Sequence, residues 1–120
     1  MTYDSSEIQC ISICLSDRVD LRVGRILAAA AHPRARRPAY QLELDFGPLG
    51  HRRSSAQLTR TYDAADLPGR LIVAAVNLGA RNVAGFVSEV LVLGVPVEHG
   101  GVVLLTPEAG CRPGDRVGPR

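Results

Sequence analysis

From Tyr40 to Phe46 the chain alternates without a break: Tyr40, Leu42, Leu44 and Phe46 are apolar, and Gln41, Glu43 and Asp45 between them are polar. A period of two is that of a β-strand, so the stretch predicts a strand with one dry and one wet face. Its neighbours supply a sheet for it to join. Val19 to Ala31 reads as a long first strand, with Gly24 as a bulge or close-approach point. Gly47-Pro-Leu-Gly50 turns the chain into a third strand, His51 to Thr59. Leu71 to Val76 and Glu89 to Val95 are continuous apolar runs that read as buried strands. Val102 to Leu105 follows a Gly100-Gly101 turn, and Pro113-Gly114 predicts a type II turn into Arg116-Val117.

Residues 60–68 lack alternation, and Asp63-Ala-Ala-Asp-Leu67 before Pro68-Gly69 predicts one or two helical turns. The resulting expectation is an all-β, OB-type five-stranded barrel with a short helix between strands 3 and 4 and small terminal extensions. The same strand spacing fits other small barrels.

With 120 residues the chain is expected to form one domain, residues 19–120, preceded by an extension, residues 1–18. Ile11, Ile13 and Leu15 allow a short strand in that extension; a disordered tail, an over-called start codon and a piece of a dimer interface fit equally. Its apolar stretch is short and broken by Gln9 and Ser12, and acids stand where a signal peptide needs bases. Neither a leader nor a membrane-spanning helix is therefore expected, and a cytoplasmic location is the default. Cys10, Cys14 and Cys111 form no CxxC pair, and His32, His51 and His99 lack metal-ligand spacing, so neither a disulfide framework nor a metal or cofactor is expected. Two Phe, three Tyr and no Trp leave the core to Val, Leu, Ile and Ala, with little for a multi-aromatic stacking platform.

The charge is uneven. Residues 34–60 carry six arginines against Glu43 and Asp45, a local +4, whereas residues 61–111 carry Arg70 and Arg81 against five acids, a local −3. Such asymmetry is the electrostatic footprint expected of a nucleic-acid binder. The absence of Lys is explained more simply by GC-rich coding than by selection at one site. In an OB barrel the second and third strands and their bordering loops form the usual nucleic-acid face. Arg34, Arg36 and Arg37 in the proline-flanked loop, with Arg52 and Arg53, are therefore candidate phosphate ligands; solvated surface charge is the plainer alternative. Strand alternation puts Arg53, Ser55 and Gln57 on one face and Arg52 on the other, so one of the two arginines is expected at the surface. Ser55 and Gln57 either contact ribose and phosphate or bond to neighbouring loops.

At Ser88-Glu89 a hydroxyl and a carboxylate stand where a polar, glycine-punctuated loop, residues 77–85, leads towards Val90-Leu-Val-Leu93. Such groups are costly at the threshold of a buried strand unless they are hydrogen-bonded. No nucleophile elbow, Walker glycines or dinucleotide motif is present, so catalysis is not expected.

Four phrases coincide in order: Asp20-Leu-Arg-Val-Gly-Arg-Ile26, Ser54-Ser-Ala-Gln-Leu-Thr59, Val76-Asn77 before the glycine-rich loop, and Ala84-Gly-Phe-Val-Ser-Glu-Val-Leu-Val-Leu-Gly94. Over residues 19–120 they closely resemble the CsaA subgroup of the tRNA-binding-domain family, which includes the C-terminal appendix of bacterial methionyl-tRNA synthetases. The resemblance implies a non-catalytic OB-fold homodimer that recognises the shape of tRNA. It also implies an alternative role as an export-related chaperone for unfolded or preprotein segments. It adds Asn77, Arg81 and Ser88 to the candidate tRNA contacts. Glu89, whose charge repels phosphate, is expected instead to brace the loop through its N–H groups or Arg81. The chain departs from the subgroup at Leu78-Gly79-Ala80, where relatives tend to carry a proline pair, at Val87, where a basic residue is common, and over residues 1–18.

Overall fold

The computed structural model describes residues 18–119. Almost all of the expected extension, with its Ile11–Leu15 alternation, Cys10 and Cys14, lies outside the described residues. Ten strands follow in chain order: β1 (Leu21–Ala31), β2 (Tyr40–Asp45), β3 (His51–Ala56), β4 (Leu71–Ala75), β5 (Arg81–Val83), β6 (Phe86–Ser88), β7 (Leu91–Val92), β8 (Gly94–Pro96), β9 (Val102–Leu104) and β10 (Arg116–Val117). The main sheet runs β3-β2-β1-β4-β7, all antiparallel, with β10 also on β1. These five strands curl into a nearly closed barrel, the OB-like architecture expected from the alternation.

The curl starts in β1. Its first half pairs with β4 and its second half with β2. The register slips between Ile26 and Ala28, a bulge that bends a long strand around the barrel. The bulge is thus at Leu27, while Gly24 serves close approach: a Cβ there would lie 2.7 Å from Cε1 of Phe46. Along β2 the period-two pattern holds, with Leu42, Leu44 and the following Phe46 fully buried. Ile26, Leu58, Leu67, Ile72, Ala74, Val90 and Leu104 complete the core around them. Two tyrosines add polar pins: Tyr40 donates to Tyr62 O at 2.8 Å, and the Tyr62 hydroxyl accepts from Leu104 N at 3.1 Å.

Four expectations need correction. The helix between strands 3 and 4 is a single 3₁₀ turn, Ala64–Asp66, which suffices to bury Leu67 just after it. The first strand begins at Leu21 and the third ends at Ala56 rather than reaching Val19 and Thr59. The polar stretch before Ser88 is a hairpin, β5–β6, whose turn residues Ala84 and Gly85 have φ of +49° and +88°. Positive φ at both central positions marks the tight type I′ class that matches strand twist. Finally, the run from Glu89 to Val95 is not one buried strand. Leu91–Val92 pairs with β4, then Gly94–Pro96 turns away to pair with β9. Val90 is buried, but Leu91 and Val95 are about half exposed. Hydropathy cannot register this change of partner.

Candidate nucleic-acid interface

The β1–β2 loop is tied down before its arginines are displayed. His32 N donates to Ala39 O at 2.9 Å and closes the base of the loop. The His32 ring is buried at 6% exposure, with Nδ1 3.2 Å from Ser55 Oγ on β3. That anchor holds the loop over β3 while Arg34, Arg36 and Arg37 stay exposed. From the other side the β5–β6 hairpin approaches, and the Phe86 ring meets His32 with centroids 5.5 Å apart. Arg53, on β3 between them, lays its guanidinium 4.9 Å from the Phe86 centroid, within cation–π range.

Three pockets lie around the loop and β3, two of them reaching the hairpin. The largest, about 430 Å³, is walled by Arg36, Arg37, Ser55, Gln57 and Arg81 over an apolar floor that includes Leu58 and Val92. A second, about 240 Å³, lies among His32, Arg34, Gln41, Arg53 and Phe86. A third, about 380 Å³, shares Arg37 and Gln57 with the first and adds Thr59 and Arg60. Arg36, Arg37, Arg60 and Arg81 thus line two adjoining pockets that share Arg37 and Gln57, with Arg60 Nη1 donating to His99 O at 2.9 Å, while Arg34 and Arg53 line a separate pocket against Phe86. Glu43, the cross-strand neighbour of Arg53, interrupts that field with negative charge.

Other expected site residues sit elsewhere. Arg52 is half-buried and donates from Nη1 to His51 O at 3.0 Å, on the face of β3 that Ser54 occupies. Asn77 is at the start of β1: its Oδ1 accepts from Asp20 N and its Nδ2 donates to Arg18 O, both at 2.8 Å. Both ends of that amide are spent on backbone.

Ser88 and Glu89 close the barrel. Ser88 Oγ accepts from Ser55 N at 3.0 Å, and Glu89 Oε1 accepts from Arg53 N at 3.1 Å. Glu89 N in turn donates to Arg53 O at 2.8 Å, and Ser54 Oγ donates to Val90 O at 2.9 Å. Two side chains thus supply acceptors at alternate amides of β3, where a ladder strand would offer carbonyls. Glu89 therefore anchors on β3 rather than on the loop amides or Arg81 named from the sequence. Its charge is held beside Arg53, which positions that arginine's backbone in the cleft.

Sequence reasoning passed over three contributors. His32 was read as a scattered histidine, although its place before Pro33 at the end of an apolar strand marks a pinned turn. Phe86 stood only inside a family phrase, with no role given to its ring. Arg60 was counted in the charge cluster but not nominated, since it follows the third strand as read, His51 to Thr59.

Residues 21–116 match the family described as "Putative tRNA binding domain". The chain belongs to the tRNA-binding domain family. A CsaA chaperone from Bacillus anthracis is 42% identical, with a TM-score of 0.80 over 98% of this chain and 99% of that one. CsaA from Picrophilus torridus is 40% identical at the same TM-score, over 88% and 96%. Methionine–tRNA ligase of Nitrosomonas eutropha is 40% identical over 109 residues, 91% of this chain but 15% of the ligase. The chain thus spans about one-seventh of the length of such ligases. Among the described residues no helix is long and apolar enough to cross a membrane.

Proposed function

We propose that the protein binds tRNA, without catalysis, through the arginine-lined cleft between the β1–β2 loop, β3 and the β5–β6 hairpin. The observation that carries this reading is that Arg36, Arg37 and Arg81, from the loop and the hairpin, line one pocket, with Arg60 in the pocket adjoining it and Arg34 and Arg53 in a further one beside Phe86. Guanidinium forks suit phosphate oxygens, and Ser55, Gln57 and Thr59 beside them suit ribose and backbone contacts. A double-stranded or folded RNA is read by such a surface through phosphate spacing and shape. Asn77, Arg52 and Glu89 support the scaffold in this reading, and Ser88 acts through the β3 backbone. A cytoplasmic location follows from the partner.

Titration with total tRNA over a salt series is the test. Four to six phosphate contacts give a log–log slope of roughly −3 to −5. Absence of binding at low salt, or affinity unchanged in Arg36→Ala/Arg53→Ala/Arg81→Ala, overturns the reading.

The protein acts as a homodimer in the same reading. Val95 and Val103 are cross-strand partners on β8 and β9, and with Leu105 they are 40–50% exposed. A contiguous apolar strip of this kind marks an interaction face, and a second copy covers it with the same chemistry. Sedimentation equilibrium should give twice the chain mass, falling to the monomer in Val95→Asp/Val103→Asp. The same strip is what supports the alternative role, polypeptide binding. If client aggregation is suppressed by the dimer and equally by the triple-arginine variant, that role exists alongside tRNA binding on a different face.

A further inference from the structure

One buried polar atom beside the cleft lacks a partner. His32 Nε2 is closed from solvent and makes no hydrogen bond among the described residues. Its Nδ1 is 3.2 Å from Ser55 Oγ, and either tautomer leaves Nε2 unmet. If Nδ1 accepts from the serine hydroxyl, Nε2–H is an idle donor; if Nδ1 donates, Nε2 is an idle acceptor. Buried polar groups are nearly always paired, so an open one on the wall of a binding cleft asks for a ligand to complete it.

The surroundings suit a flat aromatic ring. The pocket among His32, Arg34, Gln41, Arg53 and Phe86 is about 240 Å³. That is below the roughly 300–1,000 Å³ of sites that enclose a whole small molecule, so it takes one ring system. Arg53 over Phe86 forms a stacking surface, and Gln41 brings an amide with both donors and an acceptor. The other aromatics described are committed: Phe46 to the core, Tyr40 and Tyr62 to hydrogen bonds.

We propose that this pocket receives a single unpaired base of the bound RNA, stacked on the Arg53–Phe86 pair and hydrogen-bonded to His32 Nε2. The inference rests on the RNA-binding reading above. Unpaired bases are recognised by stacking on aromatic or guanidinium planes and by bonds to their edges, and base edges present both donors and acceptors. The base reaches Nε2 when the Phe86 ring swings away from His32 and stays stacked on the base. That ring sits on a three-residue strand next to a tight turn, and the hairpin is fastened to β3 through Ser88.

The test compares a fully paired RNA duplex with the same duplex carrying one bulged base, titrated with the whole chain at fixed salt. The bulged RNA should bind about tenfold tighter, in line with one base stacked on an aromatic. A 2-aminopurine at the bulge should lose fluorescence when wild-type protein binds. Phe86→Leu and His32→Asn should each bind the bulged RNA no more tightly than the same variant binds the duplex. Equal binding of the two RNAs with unquenched 2-aminopurine on wild-type protein overturns the pocket and leaves RNA binding standing. Binding of neither RNA overturns both. Competition by AMP as effective as by the bulged RNA overturns the assignment to RNA in favour of a free nucleotide. The wild-type arms decide the question even if a variant fails to fold.

Discussion

The two edges of β3 are built differently. Along one edge it pairs with β2 in an unbroken six-residue register, Tyr40 opposite Ala56 through Asp45 opposite His51. Along the other it meets residues 88–90 through Ser88 Oγ, Glu89 Oε1, Ser54 Oγ and one backbone bond. A ladder needs only extended backbone and tolerates many side chains. The seam depends on particular oxygens at particular positions, so it is written in residue identity. The difference teaches where function can be placed. The ladder edge backs onto the buried Leu42, Leu44 and Phe46 and carries the stability. The seam edge carries the hairpin and the guanidinium of Arg53, and can open locally without unravelling the sheet.

The largest expected effect tests the ladder half. Phe46→Ala empties the space against Gly24 and should cost about 3–5 kcal/mol in urea unfolding. A loss below about 1 kcal/mol would mean that this half is not the anchor.

At the seam the expected costs are smaller and depend on chemistry. Glu89→Ala should lose about 0.5–1.5 kcal/mol, the usual net worth of a hydrogen bond, because Arg53 N loses its acceptor, while Glu89→Gln, which retains an acceptor oxygen, should lose less than half of that. Equal losses for the two would show that charge rather than hydrogen bonding holds the seam. Hydrogen exchange at Arg53 and Ser55 should rise in Glu89→Ala and Ser88→Ala respectively, with the β1–β2 amides unaffected.

The hairpin offers a change in the opposite direction. Ala84 holds φ at +49° in a type I′ position that favours Asn or Gly. Ala84→Gly should therefore stabilise by about 0.5–1 kcal/mol, read as a higher urea midpoint; a neutral or lower midpoint would mean that the turn is not held as described. The smallest effect concerns the surface. Glu43→Gln removes the acid opposite Arg53 and should tighten RNA binding by roughly two- to fivefold at low salt, consistent with an exposed pair. The gain should vanish at high salt, when the Debye length falls to about 3 Å at 1 M. A gain that persists there would point to a contact instead of a field.

Much of the barrel was legible because period-two alternation maps directly onto burial, as at Tyr40–Phe46. The same rule failed from Val90 to Val95, where a continuous apolar run changes partners between β4 and β9 and puts Leu91 and Val95 outside. It also failed at residues 81–88, where Arg81, Asn82 and Ser88 look like loop but pair across a two-residue turn. At the site, local charge density pointed to Arg34, Arg36, Arg37 and Arg53, because charge is additive along the chain. Arg81 was already among the candidate contacts, but that Arg60, with 20 residues between it and Arg81, lines a pocket adjoining that of Arg81 was not legible.

Local order alone determined that this chain is a barrel of short strands with a basic face, since side-chain period and charge are properties of neighbours in sequence. The family phrases added what such a face is used for. Only the tertiary structure decided what the Ser88-Glu89 pair does and what His32 leaves undone. Both depend on which amides and hydroxyls of β3 come within 3.2 Å, and hydrogen bonds form between groups that folding brings together from 23 to 36 residues apart.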